Sequence, residues 1–194
     1  MCGHLRLRGL YRAVERIVRE GVPGDLVECG GARGGSAALM ALALRHLRAD
    51  RTVWVYDTFE GLPPPTATDP DYDLAVSWTG ACQGELHEVE ALLQRLGLLP
   101  RCRLVKGLFQ ETLRQGKPAS IVLLHLDCDW YESVKTCLEQ LYHQVSPGGI
   151  IQFDDYGHWA GARNAVDEFF RERAIPASLH ALDYSGRQFI KPPQ

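Results

Sequence analysis

Short, largely apolar runs closed by glycine or an acid alternate along this chain with longer segments of helical period, and that alternation leaves few folds open. "DLVECG", "TVWVYD", "CRLVKG", "IVLLHLDCD" and "IIQFDD" have the length and the branched, aromatic content of strands. Between them lie an alanine- and leucine-rich helix opened by Ser36 ("SAALMALALRHLRAD"), a helix through "ELHEVEALLQRLG", a short helical turn near "FQETLR", and the helices "YESVKTCLEQLYHQV" and "GARNAVDEFFRER". Ahead of the first strand, Leu10, Val14, Ile17 and Val18 recur at helical spacing, which predicts a helix at about residues 5–21, stopped by "GVPGD".

Strands joined through helices by right-handed crossovers form a parallel sheet covered on both faces. The last stretch, "SLHALDYSGRQFIKP", changes character: two short strands around "SG" predict an antiparallel hairpin at one sheet edge. The expected architecture is therefore α/β and Rossmann-like, a seven-stranded, mostly parallel sheet with helices on both faces. A turn is expected at "SPGG". The polar segment rich in Pro, Thr and Asp, from Thr58 to about Gly84, exceeds ordinary loop length and is expected to cover a ligand crevice, with Pro63 to Trp78 as its mobile part.

At 194 residues the chain fits one domain over its whole length. A formal net charge of −3, with basic and acidic residues interspersed, offers no cationic stripe for nucleic acid and no polybasic segment for a membrane. The six cysteines (Cys2, Cys29, Cys82, Cys102, Cys128, Cys137) show neither a CxxC pair nor a zinc spacing, and read as reduced, mostly buried thiols. "MCGHLRLRGLYRAVERIVREG" places charges throughout its apolar positions, unlike a signal peptide, and no run approaches a membrane span. A cytoplasmic protein is expected.

The chemistry is concentrated where strands end. A strand buried on both faces cannot carry a bare carboxylate, so Asp127 must sit at the end of "IVLLHLDCD", on the rim where parallel sheets bind ligands. "IIQFDD" ends in Asp154 and Asp155, and the fourth and fifth strands are expected to be neighbours, so three carboxylates would converge. They repel one another unless protons or a cation intervene, and Mg²⁺, an oxygen-seeking ion, is the natural partner. Successive strand side chains point to opposite faces, so the backbone must turn at Asp154 for both neighbours to reach one ion. Helix capping by Asp155 is the competing reading.

"VECGGARGGS" joins the first strand to a helix N-terminus, where backbone N–H groups favour a ligand's negative end. The dinucleotide pattern G-x-G-x-x-G counted from Gly30 would need glycine where Ala32 stands, and Glu28 suits a cationic group better than a pyrophosphate. Asp57, closing the second strand, is placed to accept hydrogen bonds from ribose hydroxyls. Loop and acid together favour a nucleoside-bearing cofactor. Trp130 and Tyr131 read as wall aromatics that could shape an acceptor pocket, His125 as a satisfied core histidine, and His158 as the better substrate contact.

"VPGDLVECGGARGGSAALM", "VWVYDTFEGLPPP", "VKGLFQETL", "LDCDWYES" and "VSPGGIIQFDDYGHWAGARNAVDEF" together closely resemble the macrocin O-methyltransferase family, in order from about Leu10 to Lys191. The resemblance implies a class I methyltransferase using S-adenosylmethionine and a divalent metal, with Asp127, Asp154 and Asp155 as metal ligands and a sugar or other natural-product hydroxyl, one of a vicinal pair, as acceptor. Its cofactor-binding residues would be Glu28, Gly30, Gly31, Gly34, Ser36, Asp57, Thr58, Phe59, Gly107, Leu108, Phe109 and Asp127. Trp130, Tyr131 and His158 would face the acceptor. A more distant likeness to catechol O-methyltransferase lacks that enzyme's lysine base, whose place Trp130 takes, which leaves Asp127, Asp129 or the metal to manage the proton. The family's longer N-terminal region contributes to a lid and to subunit contacts, whereas barely one helix precedes the glycine loop here; a homo-oligomer stays open. A nicotinamide-dependent oxidoreductase and a non-catalytic nucleoside-binding protein are the alternatives on the same sheet.

Overall fold

The structure, a computed structural model, describes residues 2–193. Its strands are β1 (Asp25–Cys29), β2 (Val53–Asp57), β3 (Cys102–Lys106), β4 (Ile121–Leu126), β5 (Val145–Phe153), β6 (His180–Ala181) and β7 (Arg187–Ile190). They form a seven-stranded sheet in the order β3-β2-β1-β4-β5-β7-β6. The first five are parallel, and β7 pairs antiparallel with both β5 and β6, so the C-terminal hairpin caps one edge as expected.

The helices are α1 (His4–Arg19), α2 (Gly35–His46), α3 (Tyr72–Val76), α4 (Leu86–Arg95), α5 (Phe109–Gln115), α6 (Tyr131–Leu141) and α7 (Ala160–Glu172). Side-chain alternation along the strands splits the core in two. Leu26, Leu123 and Ile150 pack with Leu10, Val14 and Ile17 of α1 and Leu44 of α2. Val27, Leu124 and Ile151 pack on the other face with Val134, Leu138, Val166 and Phe170 of α6 and α7. Because both faces are covered, these strands carry apolar residues at nearly every position.

Two details differ from expectation. "SPGG" does not break the chain into a turn before β5; it is a bulge within the strand, where the register to β4 shifts between Ile121 and Leu123 and Gly148 takes φ 79°. Three of the six cysteines, Cys29, Cys128 and Cys137, are buried, and all six are free thiols. Among the described residues no helix is long and apolar enough to cross a membrane.

The long segment after β2 carries α3 and is tied down at two helix starts. Asp69 Oδ1 accepts from the Tyr131 N–H at the start of α6 (2.8 Å), and Asp71 Oδ2 accepts from the Ala160 N–H at the start of α7 (2.8 Å). Each acid supplies from a distance the side-chain cap that its helix lacks locally.

Candidate active site

Two parallel pairings level the sheet's carboxyl edge. Cys29 is in register with Leu126, and Leu126 with Phe153. The ladder runs one residue further: Asp127 N–H donates to the Cys29 carbonyl and Asp154 N–H to the Leu126 carbonyl, each at 2.9 Å. Asp127 and Asp154 therefore stand side by side. The chain bends immediately after Phe153, which brings Asp155 round as well, and one carboxylate oxygen from each of Asp127, Asp154 and Asp155 lies within 4.8 Å of the others.

Burial and mutual repulsion act on these acids unequally. Burial pushes the Asp127 carboxyl well above the usual carboxylate range, and the Asp154 charge beside it adds to the rise. Asp155 is raised for the same reasons, by burial and by Asp129, Asp127 and Asp154. Asp154 goes the other way: burial would raise it, but the hydrogen bond and charge of His125 and the charge of Arg6 outweigh that and hold it low. Asp154 is thus the standing anion of the cluster, and its neighbours hold protons more tightly than ordinary carboxyls. A cation would replace the protons.

A row of polar side chains underlies the cluster. Register places Glu28, His125, Gln152 and Gln188 beside one another on β1, β4, β5 and β7. His125 Nδ1 lies 2.9 Å from Glu28 Oε1 and its Nε2 3.4 Å from Asp154 Oδ1, so this wholly buried histidine sits between two carboxylates, which raise its pKa against the effect of burial. Arg6 of α1 ion-pairs with Asp154 and, at 3.1 Å, with Asp183 of the hairpin. The other oxygen of Glu28, Oε2, is buried without a hydrogen-bond partner. Such an orphan acceptor fits the cationic end of a ligand.

Asp129 turns the chain from β4 into α6 with φ 56°, a conformation aspartate tolerates better than most residues. Its N–H donates to Asp155 Oδ2 (3.2 Å), and its Oδ1 accepts from the Trp159 indole N–H (2.9 Å). Burial lifts its pKa to about 6, although the Trp159 bond opposes the shift.

The glycine loop is shaped first by the protein's own packing. Gly30 has φ 95°, and a Cβ there would stand 1.8 Å from the Asp127 carbonyl, so only glycine lets the ends of β1 and β4 meet. Gly31 lies against Val55 and Gly34 against Val89. Ser36 is buried in the first turn of α2. Asp57 braces this loop against the next: its Oδ2 accepts from Ala32 N–H (2.8 Å) and its Oδ1 from Phe59 N–H (2.6 Å). Thr58 Oγ1 donates to the Gly61 carbonyl (3.0 Å), and the Gly107 N–H donates to the Asp57 carbonyl (2.9 Å), ahead of Leu108 and Phe109 at the start of α5. Phe59, Glu60 and Lys106 line a cleft of ≈ 340 Å³ beside these residues.

Trp130 is buried, donates its indole N–H to the Pro63 carbonyl (2.7 Å) and packs edge-on against Trp159, centroids 5.0 Å apart. His158 is exposed, against Trp159 and Tyr184. Tyr131 is drawn elsewhere, its hydroxyl bonded to Glu168 and Lys135. Sequence reasoning missed Arg6, Trp159, Asp69 and Asp71. Only Arg6 left a signal: the buried stripe Leu10, Val14, Ile17, followed back one turn, lands on a charged residue.

A mostly parallel seven-stranded sheet, a glycine loop after β1, an acid ending β2 and a carboxylate cluster at the carboxyl edge define a class I methyltransferase. The solved structure of the O-methyltransferase NovP superposes with a TM-score of 0.92 at 34% identity, covering 98% of this chain and 81% of that one. The model of the Macrocin-O-methyltransferase (TylF) family matches residues 1–191, and the chain belongs to that family. An 8-demethyl-8-(2,3-dimethoxy-alpha-L-rhamnosyl)-tetracenomycin-C 4'-O-methyltransferase of Streptomyces olivaceus is 37% identical over 191 residues, 96% of this chain and 73% of that protein. A Mycinamicin III 3''-O-methyltransferase of Micromonospora griseorubida is 33% identical over 193 residues, 96% of this chain and 76% of that one. The protein is an S-adenosylmethionine-dependent O-methyltransferase of natural-product biosynthesis.

Proposed function

We propose that this enzyme methylates a sugar hydroxyl flanked by a second oxygen, with Mg²⁺ held by Asp127, Asp154 and Asp155. The observation that carries the reading is the convergence of these three carboxylates within 4.8 Å at the carboxyl edge. An all-oxygen donor set suits a hard divalent cation. When bound, the ion supplies charge that lowers the acceptor hydroxyl's pKa, and the cofactor supplies an electrophilic methyl group.

The chain's own residues do the rest. Glu28, with its unpartnered Oε2, receives the cofactor's ammonium end; Gly30, Gly31, Gly34 and Ser36 shape the turn around it; Asp57, Thr58 and Phe59 face the ribose; Gly107, Leu108 and Phe109 flank the adenine. Asp129 takes the hydroxyl proton. Its pKa of about 6 lies near the range in which a general base works best, and the Trp159 bond fixes its orientation. Trp130 and His158 bound the acceptor, with Tyr131 behind them.

A sugar acceptor is supported by the Streptomyces olivaceus relative, whose name places the transfer at 4' of a rhamnosyl group already carrying methoxy groups at 2 and 3. The shared requirement is then two adjacent oxygens, the second free or etherified. Matched acceptors, a vicinal diol and its monodeoxy analogue, assayed with Mg²⁺ and with EDTA, test this. Full activity after verified metal removal sinks the metal assignment, and equal rates on both acceptors discard two-point recognition.

A further inference from the structure

The start of α1 leaves a thiol beside the buried histidine, and the reaction proposed above uses neither. Gly3 precedes α1, its carbonyl accepting from the Leu7 N–H (3.0 Å), and Arg6 pins the first turns of the helix to Asp154. That sets Cys2 at the carboxyl edge of the sheet, its Sγ 3.3 Å from Asp154 Oδ1, 152 residues away. His125 Nε2 reaches the same oxygen at 3.4 Å. Arg6 takes the other oxygen, Oδ2, so Oδ1 faces the thiol and the imidazole, with the Gln152 amide at 3.5 Å.

The spacing of these atoms suits an ion. At 3.4 Å the imidazole contact is long for a hydrogen bond, whose usual length is about 2.9 Å. In a tetrahedral zinc site, bonds of about 2.3 Å to sulfur and about 2.0 Å to nitrogen and oxygen put sulfur about 3.5 Å and nitrogen about 3.3 Å from the oxygen. Here those separations are 3.3 and 3.4 Å, and one ligand atom from each of Cys2, His125 and Asp154 lies within 4.8 Å of the others. The ring is also oriented as a ligand is, for Nδ1 lies 2.9 Å from Glu28 Oε1. A metal-bound histidine nearly always donates its second N–H to a carboxylate, carbonyl or water, which fixes the ring and makes the ligating nitrogen more basic. His125, Glu28 and Asp154 are wholly buried and Cys2 is half-buried, so the cluster opens to solvent at the sulfur.

We infer that Cys2, His125 and Asp154 form a second ion site, for Zn²⁺, beside the three carboxylates. Sulfur and nitrogen donors suit zinc, whereas Mg²⁺ takes oxygen. Binding replaces protons: the Cys2 thiol proton and any proton on Nε2 leave to water, and Nδ1 keeps the one it donates to Glu28. Without an ion, burial and the charges of Asp154 and Asp127 keep the thiol protonated; a divalent charge at bonding distance overcomes them, since a coordinating thiol is deprotonated outright. Asp154 belongs to both sites. Zinc therefore draws it away from the Mg²⁺ set and inhibits transfer, a consequence that rests on the metal reading above, whereas the zinc site itself does not.

The test uses the whole chain, reduced and stripped of metal, titrated with Co²⁺ as a coloured stand-in for zinc. One equivalent is expected to give the near-ultraviolet charge-transfer band of a cobalt–thiolate bond, bleached by Zn²⁺ and not by Mg²⁺. Cys2→Ser should abolish the band and weaken Zn²⁺ binding, while Cys82→Ser, at the exposed cysteine, keeps both. Glu28→Gln should keep the band and weaken Zn²⁺ about 10–100-fold, the usual cost of losing the carboxylate behind a ligating histidine. A band that survives in Cys2→Ser, no band in the wild type, or Zn²⁺ affinity unchanged in Glu28→Gln overturns the site. In the transfer assay with Mg²⁺, one equivalent of Zn²⁺ should stop the wild type and spare Cys2→Ser. Equal inhibition of both overturns the shared acid; no transfer with any metal removes the Mg²⁺ reading, while the cobalt band still decides the zinc site.

Discussion

Arg6, in the first turns of α1, is ion-paired with Asp154 at the far end of the sheet, 148 residues away in sequence, and donates a second bond to the Asp154 carbonyl at 3.2 Å. The Arg6 side chain is 10% exposed and that of Asp154 not at all. One contact thereby fastens the N-terminal helix to the acid cluster, and through Asp183 to the hairpin. Asp154 would keep His125 as its charged partner, so Arg6→Met should lower unfolding free energy by about 1.5–3 kcal/mol in urea titration, the cost of a lost hydrogen bond to a charged group. A loss under about 1 kcal/mol, the range of surface pairs, would show that His125 alone satisfies Asp154.

The raised acids fix a pH dependence. Asp127 and Asp155 have folded pKa values above their unfolded ones, so their contribution to stability is complete below the ordinary carboxylate range and is lost as pH rises through the raised values. The metal-free protein is therefore penalised at neutral and alkaline pH, where a bound cation offsets the repulsion. The rise in Tm on adding Mg²⁺ should grow with pH, because the ion must displace protons that the raised carboxyls hold. Asp127→Asn should flatten the difference. A Mg²⁺ effect independent of pH argues that these carboxyls are not the ligands.

Asp127→Asn keeps the side chain's size and removes its charge. Turnover should fall about 100-fold or more, in line with losing a metal ligand or a base, while S-adenosylmethionine still binds. Titration calorimetry alongside the assay separates the two: parallel loss of both would place Asp127 in the cofactor site alone.

Asp57 accepts two backbone N–H groups, from Ala32 in the glycine loop and from Phe59 after β2. Asp57→Ala should weaken cofactor binding by about 1.5–3 kcal/mol, the cost of losing hydrogen bonds to a charged acceptor. Unchanged affinity with an intact melting transition would remove it from the site.

Asp69 and Asp71 hold the α3 segment by capping helices they do not belong to. Losing a cap costs about 0.5–2 kcal/mol, so Asp69→Ala should lower stability by that amount and speed proteolysis between Pro63 and Trp78. Cleavage there at the wild-type rate would show that Trp130 and Trp159 hold the segment without it.

The sheet, its flanking helices and the terminal hairpin were legible in the chain because strand and helix periods are local properties, readable in windows of a few residues. Asp127, Asp154 and Asp155 were legible as strand-end acids for a related reason: charge interrupting a buried run has to emerge at the edge. What the acids touch was decided only by the tertiary structure. Arg6 and Asp154, Asp69 and Tyr131, Asp71 and Ala160, and Trp159 and Asp129 are 30 to 148 residues apart, and local sequence does not specify such partners. Folding also decided that Gly30 makes room for the Asp127 carbonyl and that His125 is satisfied by two carboxylates, because both follow from strand register, which pairs residues across the sheet, and that Asp155 swings round beside Asp127, because the chain bends where β5 ends.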